Sequence, residues 1–568
     1  MPPTSSADQE APRPPQGTDS AAAEQLARQQ IEQQPQQPAA WRHLGEVLER
    51  RGKLSEAIAA YERVAELDGR DVACRTALGH LLRRMSYLEE AIHWHAAALA
   101  LHPDALILQL NHLCVLPLVP TSRSQSERLR QRCLEGLEGL EHLQRRGQRW
   151  EFSSHEMPDH LFYLIYHHRD NRRALTTYGR LIQTFAQSRC DPQLLSPAAS
   201  PPPRKGRRRI GFISGFFYNH SNNLAFEGLI RGLDRSRFEV VVIHLHSTPI
   251  DAVSTRLHRS SDQYFILSGD TNQALHQLRD LHLDLLFFTD IGMHPLITML
   301  ASIRSAPIQV TGWGVPQTSG LATVDHYISG SLVEPSDADS QYSENLVRLP
   351  GLPCCYLSEN LAQTSRSRDF FFLPTDAPLL GCLQTFWKLH PDFDAMLEAI
   401  AQRLTQAWFV MVESEITSHT AILLERLAAA APTFCERLIL LSRQPRQEFM
   451  ALAGCLDLLL DPPYFSSGIS LYDTIHTGTP TVSLEGRFLR SRFVAGAYRL
   501  MELPDAPVAH SQEEYIHLVV ALIEDRERLQ RLRQNIRDRA GRLYDRSDVV
   551  NAFADFAWEA TATAATAD

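Results

Sequence analysis

LDLLLDPPYFSSGISLYDTIHTGTPTVSLEG (456–486) reads as a strand, a small-residue loop, a helix, a tight turn and a second strand. The nearly unbroken leucine run of LDLLLD suits a strand buried on both faces. Phe465-Ser466-Ser467-Gly468 is too small and polar to continue it, and the helical run that follows stops before Gly478-Thr479-Pro480. PTVSLEG then returns as a strand. Strand, crossover helix, strand is the unit of a parallel sheet covered by helices.

The same rhythm extends outward. LLGCLQT (379–385), WFVMVES (408–414) and RLILLS (437–442) are short apolar runs separated by helical stretches. An earlier set holds RIGFIS (209–214), FEVVVIHLH (238–246), DLLFFTD (284–290) and PIQVTGW (307–313). Between the sets, 350–376 is irregular and aromatic. The reading is α/β: two doubly wound, Rossmann-like lobes over 209–376 and 377–568, with ligands expected where the carboxyl ends of the strands meet. The last helical pattern, EEYIHLVVALIEDRERLQRLRQNIRDRA continuing to FADFAWEA, is long enough to cross back toward the first lobe.

Upstream the pattern is all-α. Leu44-Gly45 recurs as Leu78-Gly79, and Ala57 as Ala91, each at an offset of 34 residues. Trp41, Tyr61 and the closing Pro103 complete a tetratricopeptide-type pattern, in which small residues let paired helices approach closely. Pro35 closes a preceding unit, so one more helix is expected before it. The organisation is a disordered tail over 1–19, repeats over 20–105, a helical connecting region over 106–195 and a proline-rich linker over 196–208.

A net charge of −10 argues against a nucleic-acid partner. Nine scattered cysteines without zinc spacing suit reduced thiols and a cytoplasmic location, and no apolar run has the length of a membrane span.

RIGFISGFFYNHSNN (209–223), IRSAPIQVTGWGVPQTSGLATVDHYI (303–328), QYSENLVRLPGLP (341–353), CLQTFWKLHPDFDAM (382–396) and LDPPYFSSGISLYDTIHTGTPTVSLEG (460–486) stand in one order. Together they resemble the O-linked N-acetylglucosamine transferase and SPINDLY group, whose members also carry repeats upstream. The resemblance covers roughly 205–560. It implies a GT-B fold and inverting transfer from a UDP-sugar, with no metal or other cofactor.

The residues fit that chemistry. A sugar leaves a nucleoside diphosphate only when the charge growing on the pyrophosphate is neutralised, and without a metal that falls to cationic side chains and amides. Lys388, past strand LLGCLQT, matches the family's catalytic lysine. His220 follows RIGFIS and matches a histidine near donor phosphates and acceptor, where imidazole can take or give a proton. His294 in IGMHP contacts acceptor or sugar, or caps the next helix; relatives often have Asp there. On the donor side, Ser467, Gly468 and Ser470 form the phosphate turn, with Thr385 nearby. Asp473 holds ribose hydroxyls, or simply favours a helix N-terminus. Arg446 and Phe449 fall where uracil would be read, although a Phe at helical spacing also suits a core. Ile469 departs from the polar residue of many relatives, which puts the strength of phosphate binding in question. Gln317–Gly320 matches a turn that in the family abuts the transfer site, or is a β-turn with no ligand role, and Arg487, Arg490 and Arg492 either line the cleft or stay solvated.

The expected activity is transfer of N-acetylglucosamine or glucose from a UDP-sugar to a protein side chain, Ser or Thr first and Asn also possible, the peptide being held by the repeats. A fucose donor and the oligomeric state stay open. The competing reading is a non-catalytic repeat scaffold with a degenerate transferase lobe.

Overall fold

The computed structural model describes residues 18–152, 161–196, 206–361 and 365–564. Helix Thr18–Gln33 precedes two antiparallel hairpins, Pro38–Arg50 with Leu54–Leu67 and Val72–Arg84 with Leu88–Leu99. The repeated glycines explain the tight pairing. A Cβ on Gly45 would stand 2.8 Å from the Tyr61 ring, and one on Gly79 would stand 2.5 Å from the His95 ring. Thr18 and Asp19 already open a helix, so they leave the expected tail; residues 1–17 of that tail and 197–205 of the linker lie outside the described residues.

Residues 106–195 do more than connect. Their helices Leu106–Leu113, Arg123–Arg145 and Arg172–Arg189 bring Leu110, Leu137, Tyr178 and Phe185 into one apolar cluster with Ile213, Val241 and Phe288 of the first sheet. They cover one face of that sheet.

The first sheet has seven parallel strands: β1 (Arg208–Ser214), β2 (Phe238–Leu245), β3 (Gln263–Leu267), β4 (Leu285–Phe288), β5 (Ile308–Gly312), β6 (His326–Gly330) and β7 (Asn345–Leu349). Their order is β3-β2-β1-β4-β5-β6-β7. The second has β8 (Leu379–Cys382), β9 (Trp408–Val412), β10 (Leu438–Leu441), β11 (Leu458–Leu460), β12 (Thr481–Leu484) and β13 (Val508–Ala509), ordered β10-β9-β8-β11-β12-β13. Both are doubly wound, as the alternation of strand and helix predicts. The order reverses between β1 and β4 and again between β8 and β11, and such switch points open crevices at the carboxyl ends.

The terminal helical run breaks where the sequence pattern reads through. Helices Gln512–Glu524 and Arg526–Arg539 part at Asp525, whose carboxylate accepts from Arg528 N at 2.9 Å and caps the second. Helix Ser547–Ala564 then crosses to the first lobe, where Phe553 lies 5.7 Å from the Phe287 ring and Trp558 lies 6.1 Å from Phe238. The repeats dock on the second lobe: Ser418 Oγ donates to Met85 O at 2.9 Å, and His419 Nε2 meets Arg84 O at 2.8 Å.

Candidate active site

Four chain segments leave the two switch points. β1 runs into 215–220 and β4 into 289–294; β8 runs into 383–388 and β11 into 461–470. The two crevices meet through one small apolar cluster. Met293 and Trp387, the neighbours of His294 and Lys388, both pack against Ile165, Tyr166, Val315 and Phe465. Tyr166 belongs to a short turn, Phe162–His167, that the connecting region inserts between the lobes, and its ring lies 4.9 Å from Phe465.

On the first lobe, His220 and His294 each cap a helix, Ser221–Gly232 and Pro295–Ala301. Asn222 N donates to His220 Nδ1 at 3.1 Å, and Leu296 N donates to His294 Nδ1 at 3.2 Å. With Nδ1 accepting, each neutral ring carries its proton on Nε2. Burial pushes both imidazoles down to about 4, so they are neutral at physiological pH. Phe216 joins them, stacked on His220 at 4.6 Å and edge-on to His294 at 6.4 Å. Beneath lies Asp290, fully buried, accepting from Gly215 N at 3.2 Å and Thr289 Oγ1 at 3.0 Å. Burial pushes this carboxyl up to about 7, against its hydrogen bonds.

On the second lobe, Lys388 ends a short turn, Phe386–Lys388. Its Nζ donates to Gln384 Oε1 at 2.7 Å and Ser466 O at 3.3 Å, and lies 4.7 Å from the Phe465 ring centre. Burial lowers the ammonium to about 8, while Asp461 and Cys382 act the other way. Gln384 Nε2 reaches Ser467 Oγ at 2.9 Å and Ser470 Oγ at 3.3 Å. A Cβ on Gly468 would meet nothing within 4 Å, so the turn faces open space there.

Other expected residues are placed differently. Thr385 is exposed, and its carbonyl accepts from Lys388 N while Gln384 beside it faces inward. Arg446 and Asp473 do come together, but as an ion pair, Nε–Oδ2 3.0 Å and Nη2–Oδ1 2.5 Å. Tyr356, on the crossing between lobes, donates to Asp473 Oδ1 at 2.6 Å. Phe449 is half-buried at the edge of the apolar cluster containing Leu383 and Leu452. The Gln317–Gly320 turn is braced internally, with Asn171 Nδ2 donating to Gln317 Oε1 at 2.9 Å and Thr318 donating to Glu344 at 2.6 Å. The three arginines past β12 serve as ties: Arg487 pairs with Asp337, Arg490 donates to Arg169 O, and Arg492 pairs with Glu485.

Three residues of the site escape a reading by motif: Asp290, Gln384 and Asp461. Their one signal is position, since Asp290 and Asp461 each close an apolar strand at a switch point.

Two doubly wound lobes, with a part-buried lysine and a serine turn at the switch point of the second, define a two-lobed fold of the GT-B type. Residues 191–353 and 356–550 match the profile described as glycosyl transferase family 41, and 38–81 match a tetratricopeptide repeat. The chain belongs to glycosyl transferase family 41. It is 22% identical over 363 residues to the probable UDP-N-acetylglucosamine–peptide N-acetylglucosaminyltransferase SEC of Arabidopsis thaliana, covering 61% of this chain and 36% of that one. It is 23% identical over 341 residues to the UDP-glucose:protein N-beta-glucosyltransferase of Actinobacillus pleuropneumoniae, covering 57% and 52%. The chain thus spans about a third to a half of these relatives' length. A mutant of the Thermobaculum terrenum O-GlcNAc transferase superposes with a TM-score of 0.72 at 23% identity, covering 97% of this chain and 96% of that one.

Proposed function

We propose that this protein transfers a sugar, N-acetylglucosamine or glucose, from a UDP-sugar to a protein side chain, with inversion and without a metal. The observation that carries the reading is Lys388: a half-buried ammonium at the switch point, beside a serine turn that opens to the cleft. In the displacement, the bond from the sugar's anomeric carbon to the diphosphate oxygen breaks as the acceptor oxygen bonds from the opposite face. UDP leaves with the electron pair, an oxygen of its diphosphate takes up the proton that the acceptor hydroxyl gives up, and Lys388 neutralises the growing charge in a site of low dielectric. The Nε2–H groups of His220 and His294 suit them to donate to oxygen atoms of the substrates. A role as general base would need His220 to give up its helix cap.

A protein acceptor is supported by the repeats and by the protein-modifying activities for which both relatives above are named. Ser or Thr is the favoured acceptor residue, with Asn the alternative that the Actinobacillus relative suggests. No described helix is long and apolar enough to cross a membrane. No disulfide links the nine cysteines, all of which lie among the described residues, and this supports the cytoplasm as the site of action.

The test is release of the nucleoside diphosphate, UDP or GDP, with UDP-N-acetylglucosamine, UDP-glucose and GDP-fucose in turn, with host lysate as acceptor and both with and without chelator. One UDP-sugar should turn over, and Lys388→Ala should lower kcat by about 10²–10³-fold. Silence with every donor would leave the repeat scaffold as the function, and loss of turnover with chelator would overturn metal independence.

A further inference from the structure

Asp461 follows β11 directly, and its carboxylate is 1% exposed. Ser466 Oγ and Ser483 Oγ donate to Oδ2 at 2.7 and 2.6 Å. Ser467 N and Ser467 Oγ donate to Oδ1 at 2.7 and 2.8 Å. Four donors on two oxygens favour the charged carboxylate, while burial acts the other way and raises its pKa. Burying a carboxylate is costly even when it is well bonded, and an apolar core could close this strand more cheaply.

What the charge does follows from the direction of the hydrogen bonds. Lys388 Nζ donates to Gln384 Oε1, Gln384 Nε2 donates to Ser467 Oγ, and Ser467 Oγ donates to Asp461 Oδ1. Every link points the same way, from ammonium to carboxylate, so each bond polarises the next. Ser466, held by the same carboxylate, also offers its carbonyl to Lys388 at 3.3 Å. A direct Lys–Asp bridge would orient the ammonium but cancel its charge. Two neutral links orient it and leave a remaining N–H and most of the charge for a ligand.

We infer that Asp461 is the positioning residue of the donor site, fixing the Ser466–Ser467 turn and, through Gln384, the ammonium of Lys388. The inference rests on the reading that this turn and lysine receive the diphosphate of a UDP-sugar. It assigns Asp461 no contact with substrate. The titratable groups around the carboxylate are Lys388, Cys382, Tyr498 and Tyr515, and Tyr515 is committed to the Asp461 carbonyl at 3.1 Å.

The sign of the electrostatic effect is fixed. Asp461 raises the Lys388 pKa, so its removal lowers it. Lys388 acts only as a cation, and kcat/KM therefore falls as pH rises through its pKa in the free enzyme. The experiment compares wild type, Asp461→Asn and Ser467→Ala as purified full chains, by UDP calorimetry and by kcat/KM against pH. Asp461→Asn should weaken UDP binding about tenfold or more and move the alkaline fall of kcat/KM about one unit to lower pH. Ser467→Ala cuts the relay but keeps the carboxylate, so donor KM should rise while the alkaline fall stays close to wild type. A folded Asp461→Asn protein with unchanged UDP affinity and an unmoved alkaline fall would overturn the inference. Should that variant not fold, an unchanged donor KM in Ser467→Ala overturns it instead. Wild-type protein that binds no UDP would be a different failure, that of the donor reading itself.

Discussion

At the cleft, His220 has two jobs on opposite sides of one ring. Nδ1 holds Asn222 N and so caps helix Ser221–Gly232, while Nε2–H is the side available to substrate. The jobs can be separated because Asn caps helices well and has no imidazole. His220→Asn should keep the thermal midpoint within a degree or two, roughly the effect of a few tenths of a kcal/mol, and lose most of kcat. His220→Ala should lose kcat and also about 1 kcal/mol of stability. A calorimetric scan beside the rate assay distinguishes these outcomes, and equal destabilisation by both variants would refute the cap. Sequence position alone suggests where Lys388, His220 and His294 stand, because residues just past strand ends at a switch point face the crevice. It cannot choose between Thr385 and Gln384, which are adjacent in a turn. One residue of offset there sends a side chain out to solvent or in to Lys388. Asp461 and Asp290 are invisible to motif reading for another reason: their role lies in bonds to Ser467, Ser483 and Gly215, which the chain folds against them.

Among the elements, the repeat helices depend on absent side chains. Gly79 exists because the buried His95 ring, 1% exposed, occupies the space where its Cβ would be. Gly79→Val should force helices Val72–Arg84 and Leu88–Leu99 apart at a cost of about 1–3 kcal/mol. Since Arg84 and Met85 carry the contacts to Ser418 and His419, the loosening should reach the second lobe. Hydrogen exchange over 417–430 reads this out, and protection equal to wild type would show that the repeats are coupled only weakly. The 34-residue spacing made these helices legible from their own residues. The turn Phe162–His167 was not legible. Its residues read as one more helical run, and only burial of Tyr166 between Val315 and Phe465 gives them their place. The break at Asp525 was hidden similarly, since helical periodicity continues across a residue that serves as a cap.

Across the whole molecule, burial has left many histidines uncharged. His167 and His244 are pushed down to about 3, and His168, His220, His294 and His390 to about 4. Their folded pKa values lie below the unfolded value of about 6.5, so the stability they confer is complete above that pH and is lost as pH falls toward 4. Asp290 and Asp394 act oppositely, since burial raises them to about 7 and about 6 and they favour the folded chain as pH falls. Six groups outweigh two. The midpoint of thermal unfolding should drop continuously from pH 7 to pH 4.5, and a flat profile would show that these rings take up protons without unfolding. Such burial depends on how the lobes, the connecting helices and the terminal helix close on one another, which strand and helix patterns do not specify.

The crossing of helix Ser547–Ala564 also orders events in time. Strand β7 ends at Leu349, yet the helix that covers Phe287 and Phe238 begins only at Ser547. A ribosome adding residues at its usual pace needs roughly 10–40 s to make the intervening chain. During that interval the nascent first lobe presents an uncovered apolar sheet, and chaperone capture should concentrate there. The lobe that emerges first from the ribosome is therefore unable to finish folding before the second has been made.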